Sequence, residues 1–234
     1  MAEAGRYEAG RYEPGALAYA DNLGVGVELH EQFTTVAQQR LSAELGMWAW
    51  LITELLLFSG LLVTALVLRT LHPHSVQAAA QHLKLWIGAV NTVILITSSL
   101  VMTGAIEMSK LGRARDTARC LLVTGALGAG FLLLKSYEYY DDYVEHMTPF
   151  LNRPYELGAD GASQLFVNLY WVTTILHFGH LTIGIGIVWA MAWLVGRPRY
   201  LERHQNRVEI TGLYWHFIDL VWLIVYPSLY LVNR

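Results

Sequence analysis

The sequence predicts an all-α integral membrane protein: a five-transmembrane-helix bundle with its N-terminus in the cytoplasm and its C-terminus outside. Three observations carry that prediction. Five windows, about 45–69, 84–106, 117–137, 166–195 and 210–232, are long and apolar enough to cross a bilayer core of roughly 20 residues' length. Only 15% of the 234 residues are charged and 54% are hydrophobic, against about 25% charge in an ordinary soluble domain. Lys and Arg also gather in alternate connections. Arg6, Arg11 and Arg40 precede the first window, Lys110, Arg113, Arg115 and Arg119 follow the second, and Arg197, Arg199, Arg203 and Arg207 follow the fourth. The other side holds Arg69, Lys84, Arg153 and Arg234. Positive charge marks the cytoplasmic side, which fixes the orientation.

Residues 1–43 read as a flexible cytoplasmic tail and 44–234 as the membrane domain. The tail is polar and Gly-rich, and repeats "AGRYE" at 4–8 and 9–13. The first apolar run follows this polar segment and is too long for a signal peptide. A formal net charge of −3 gives no basic footprint for nucleic acid. Cys120 stands alone, which excludes an internal disulfide and a CxxC metal site and leaves a small apolar filler.

Span one, "WAWLITELLLFSGLLVTALVL", carries Glu54. A charge at a helix centre costs roughly 2.5–3.5 kcal/mol on insertion scales, so this carboxyl is expected to face protein or water. It is either proton-linked or an interhelix hydrogen-bonding group. Span two carries Asn91, Thr92, Thr97, Ser98 and Ser99, side chains that usually bond between helices. In span three, Gly125, Gly128 and Gly130 allow close helix approach. At its outer end Lys135 and Glu138, three apart, are expected to form an interfacial ion pair. Residues 138–165 read as the longest loop. They are acidic, and Pro149 and Pro154 break any helix there.

Span four is long enough to tilt or to run past the membrane. Its "LHFGHLTIG" puts His177, His180 and Gly184 on one face. Two histidines so placed could bind a metal or bond to another helix. The structural reading is preferred, because a zinc site needs three or four ligands. In span five Glu209, Gly212, His216 and Asp219 draw one polar stripe down an oily helix. His216 and Asp219 form a proton relay or a simple pair, and the pair is preferred. Trp215 and Trp222 mark a neighbouring line. With Arg199, Arg203 and His204 they are the candidates for contact with lipid headgroups and the membrane interface. The chain has no Walker loop, GxGxxG, nucleophile elbow or CxxCH, and no visible inverted repeat of the transporter kind.

In order along the chain, "ITELLLFSG", "NTVILITSS", "YEYY", "HFGHLTIG" and "YWHFIDLVWLIVYP" resemble subunit III of the haem-copper respiratory oxidases, the cytochrome c oxidase subunit 3 family, in its five-helix form. The resemblance covers about residues 45–232. Glu54 matches the family's membrane-embedded glutamate, and His177 and His180 its paired histidines. The resemblance implies an accessory subunit that has no catalytic centre and binds no haem, copper or other metal itself. Those groups sit in subunit I, against which it packs, in a complex with subunit II and other subunits. It implies bound phospholipid, support for proton uptake and resistance to turnover inactivation. The whole complex reduces oxygen to water and pumps protons across a bacterial-type inner (cell) membrane, with electrons from cytochrome c or a quinol. The first two helices of the seven-span form are missing here, so its lipid cleft needs another subunit to complete it. Where the family has a His- and Gly-containing run, this chain reads His204-Gln205-Asn206-Arg207. Three alternatives stay open: a related subunit associated with nitric oxide reductase, a membrane cytochrome b with histidine-ligated haem, and a stand-alone proton-coupled transporter using Glu54.

Overall fold

The computed structural model describes residues 36–81, 83–144, 161–197 and 200–231. They form six helices: α1 (Val36–Leu71), α2 (Pro73–Ala80), α3 (Leu85–Lys110), α4 (Ala114–Val144), α5 (Gly161–Val195) and α6 (Tyr200–Tyr230). All but the short α2 are long and apolar enough to cross a membrane. Several boundaries differ from those expected. α1 begins at Val36, inside the stretch 1–43 assigned to the tail, and residues 1–35 lie outside those described. α4 continues to Val144, so Glu138, Asp141 and Asp142 are helical rather than loop residues. The extension is held to its neighbour by a Lys84–Asp141 ion pair at 2.7 Å. Pro149 and Pro154 lie outside the described residues. α2 was not foreseen. Pro73 opens its first turn, where a missing N–H costs nothing. It buries Val76, Ala79 and Ala80 and meets α5 where Ser163 donates to the Ser75 carbonyl at 3.0 Å.

α3 and α4 form an antiparallel hairpin. α3 ends in a Schellman motif: Arg113 N–H donates to Met108 O at 3.0 Å and Gly112 N–H to Ser109 O at 3.1 Å. Gly112 sits at φ 69°, the left-handed conformation that this cap requires.

α6 is the centre of the bundle. Its most apolar window is 61% buried, against 22% for α1, which makes α1 peripheral. The α3–α6 seam is antiparallel and is stitched by side chains. Tyr226 OH donates to Leu85 O (3.3 Å), Trp222 Nε1 to Thr92 Oγ1 (3.1 Å) and Trp215 Nε1 to Ser98 Oγ (3.2 Å). The mild polarity of span two is therefore used to satisfy indole N–H groups, which need partners once buried. Thr97 instead turns back to its own helix at Val93 O. Trp215 wedges between α4 and α5: a Cβ on Gly128 would collide with its ring, and Gly184 lies against the ring's other edge. Gly130 faces open space, so only Gly125 and Gly128 act as the expected approach points on α4.

Candidate functional site

The inward polar residues separate into four groups. The first joins α1 to α5. Glu54 Oε2 lies 3.1 Å from His180 Nε2, and both side chains are nearly buried. His180 Nδ1 lies 2.8 Å from Leu176 O. A carbonyl only accepts, so Nδ1 carries a hydrogen and the ring's other nitrogen faces the carboxyl. The contact then has two descriptions, a carboxylic acid donating to neutral imidazole or an imidazolium donating to carboxylate. Both contain one proton between Glu54 and His180 and no net charge. Tyr214 OH donates to the His180 carbonyl at 3.0 Å, and the Phe58 ring meets the imidazole edge-on. The pair lines a cleft of about 500 Å³ between α1, α5 and α6, walled by Met47, Trp50, Ile183, Ile187 and Tyr214. Four residues separate Glu54 from Trp50, about 6 Å along the helix.

The second group is His177. It is fully buried, with its ring between Phe131 and Trp222 at 5.7 and 5.1 Å, and neither ring nitrogen has a hydrogen bond. The two histidines thus point to different neighbours: His180 outward to α1, His177 into the core. Among the described residues, no three His, Cys, Asp or Glu side chains are grouped to hold a metal.

The third group corrects an expectation. Lys135 and Glu138 do pair, at 2.9 Å, but each is only 1% exposed, so the pair is enclosed by protein rather than snorkelling. Lys135 Nζ also donates to Tyr170 OH and Tyr230 OH, and both hydroxyls donate to Glu138 Oε1. Aromatic side chains of α4, α5 and α6 close over the ammonium, whose ring-centre distances to Tyr139, Tyr170 and Tyr230 are 5.0 to 5.2 Å. Sequence reasoning passed over Tyr170 and Tyr230. Their positions carried a signal: Tyr170 is seven residues before His177, and Tyr230 continues the four-residue stride Trp222, Tyr226, Tyr230.

The fourth group is the α6 stripe. Glu209 lines a smaller cavity with Glu44 and Lys110, and Gly212 lets Ile106 approach. His216 and Asp219 do not pair with each other, contrary to expectation. His216 Nδ1 lies 2.7 Å from Ser99 Oγ, because the ring turns to α3, while both Asp219 oxygens are buried without a hydrogen bond. Trp215 and Trp222 are 0% and 1% exposed. They are core wedges rather than interface anchors, since their N–H groups find partners on α3 inside the bundle. Arg199 and the side chains of Arg203 and His204 lie outside the described residues.

The comparisons with known proteins agree with this layout. The family model described as cytochrome c oxidase subunit III matches residues 22–233. The chain is 31% identical over 191 residues to a cytochrome c oxidase subunit 3 of Thermostichus vulcanus, covering 81% of this chain and 87% of that one. It is 28% identical to the cytochrome c oxidase subunit 3 of Bacillus sp. strain PS3, covering 81% and 85% of the two chains. It is 27% identical to the quinol oxidase subunit 3 of Bacillus spizizenii, covering 81% and 86%. A match across nearly all of the chain, together with five apolar helices whose polar groups turn inward, places this multi-pass membrane protein in the cytochrome c oxidase subunit III family of the haem-copper oxidases.

Proposed function

We propose that the chain is a non-catalytic accessory subunit of a proton-pumping terminal oxidase, seated against subunit I in the cell membrane, with its N-terminus cytoplasmic and its C-terminus outside. Haem and copper belong to subunit I, and this chain contributes a proton-holding pair and a lipid-facing cleft. The observation that carries the reading is the Glu54–His180 contact, a one-proton unit at the edge of an apolar cleft. Sharing one proton keeps an acid and a base inside the membrane without net charge, and an exchangeable proton held there supports a role in proton supply. The cleft's walls of Met47, Trp50, Ile183 and Ile187 suit a phospholipid acyl chain. The relatives include subunits of both cytochrome c and quinol oxidases, so the proposal covers either electron donor.

Purification in mild detergent followed by mass identification tests the assignment. The chain is expected to co-purify with a haem- and copper-bearing subunit. A Soret band in the isolated chain would instead make it a membrane cytochrome, and an active lone oligomer would make it a transporter. Glu54→Gln keeps the side chain's shape and removes its acid. The variant is expected to assemble fully and to show slower proton uptake in turnover. Oxygen consumption and proton stoichiometry equal to wild type would leave the pair only a packing role.

A further inference from the structure

A second polar path neighbours the Glu54–His180 cleft; the apolar Ile210 lines both cavities, and no polar residue does. At the end of the bundle that carries the α3–α4 turn, α1, α3 and α6 part around a cavity of about 220 Å³ lined by Glu44, Lys110, Asn206, Glu209 and His216. His216 stands seven residues beyond Glu209 along α6, roughly 10 Å deeper into the bundle. Its Nδ1 faces Ser99 Oγ at 2.7 Å, which leaves Nε2 toward the cavity that the ring lines. Asp219 follows His216 by three residues, one turn further along α6, and Ser99 lies near its carboxyl without a hydrogen bond to it. Asp219 is 4% exposed, and neither of its oxygens has a hydrogen bond. The charged groups on the approach are Glu44 from α1, Lys110 from α3 and Glu209 from α6, all at the cavity rather than at Asp219. A carboxylate buried without a cation or a donor is costly, and taking up a proton relieves that cost.

We propose that Asp219 is a buried proton-exchange site served from this cavity through His216 and Ser99. A hydronium ion or a buffer acid in the cavity gives its proton to His216 Nε2. The Ser99 hydroxyl turns toward Asp219, the hydrogen on Nδ1 passes to Ser99 Oγ, and as that bond forms the serine's own hydrogen passes to the Asp219 carboxylate. The imidazole ends as the opposite neutral tautomer, Ser99 is regenerated, and one proton has moved from the cavity to Asp219. The reverse sequence releases it. No bond between heavy atoms changes and no oxidant is needed.

Infrared spectroscopy of the purified complex containing the full chain tests this. The carbonyl stretch lost in Asp219→Asn identifies the protonated carboxyl, and transfer to D2O shifts that band to lower frequency. Wild type is expected to exchange fast, and both His216→Phe and Ser99→Ala to slow the shift by about a hundredfold, the scale of a lost proton-transfer group. Should His216→Phe fail to assemble, Ser99→Ala, which removes a single oxygen, decides alone. Exchange as fast in Ser99→Ala as in wild type overturns the proposal, as does the absence of any carbonyl band sensitive to Asp219→Asn. Glu54→Gln is expected to leave this exchange unchanged. If it slows the exchange as Ser99→Ala does, the proton enters by the other cleft and the proposal falls.

Discussion

Lys135 has three protons to donate and three oxygens to receive them, on Glu138, Tyr170 and Tyr230. The two tyrosine protons return to Glu138, so the cluster closes on itself with every donor used. A buried ion pair of this kind is poor in net stability but costly to break by halves. Lys135→Met strands a carboxylate and should destabilise the subunit by about 3–5 kcal/mol, whereas Lys135→Met with Glu138→Gln should recover much of that loss. Thermal denaturation of the purified complex, followed as release of this subunit, measures both. Equal losses in the single and double variants would mean that the charges are not coupled. The sequence displayed this pair as i, i+3 neighbours but hid its setting, because burial depends on Tyr170 and Tyr230, which come 35 and 95 residues later. The same limit explains His216. Its spacing to Asp219 was legible, but the competing partner, Ser99, lies 117 residues earlier on another helix.

Helices meet here where one side supplies an aromatic ring and the other removes a side chain. Trp215 fills the space left by Gly128 on α4 and Gly184 on α5, and its indole N–H is taken by Ser98 on α3, so one residue ties α6 to three neighbours. Gly128→Ala should force that ring to shift, at about 1–3 kcal/mol, the usual cost of overpacking. Gly130→Ala, two residues away but facing open space, should be neutral or stabilise the helix by about 0.5–1 kcal/mol. The same thermal assay compares the two, and a similar loss in both would remove the wedge explanation. Hydropathy made each crossing helix legible within a few residues at most ends, because lipid demands long apolar runs. It could not tell Gly128 from Gly130, since both are small residues in one run and only the rotation of α4 separates them. Nor could it show α2, whose eight residues begin with a proline and meet α5.

Across the described crossing helices, enclosure decreases from α6 outward to α1. α6 is the most enclosed crossing helix, and the buried polar side chains are carried by α3, α4, α5 and α6, while α1 exposes Leu56, Val63 and Leu66 and turns Leu51, Phe58, Ala65 and Leu68 inward beside Glu54. A helix so thinly held gains by a further neighbour, lipid or protein, and the Glu54–His180 cleft opens on that side. The two ends of the bundle also differ in charge. The α3–α4 turn carries Lys110, Arg113, Arg115 and Arg119, whereas the opposite end shows Trp86, Tyr137 and Tyr140 as exposed aromatic side chains. Basic turns stay in the cytoplasm, and aromatic rings settle at headgroup level. With Cys120 replaced by Ala, Tyr140→Cys should react with a membrane-impermeant maleimide on intact cells, and Arg113→Cys only after lysis. The reversed pattern would invert the bundle. It would turn the Glu44–Lys110–His216 cavity to the outside, so that any proton reaching Asp219 would come from that side rather than from the cytoplasm.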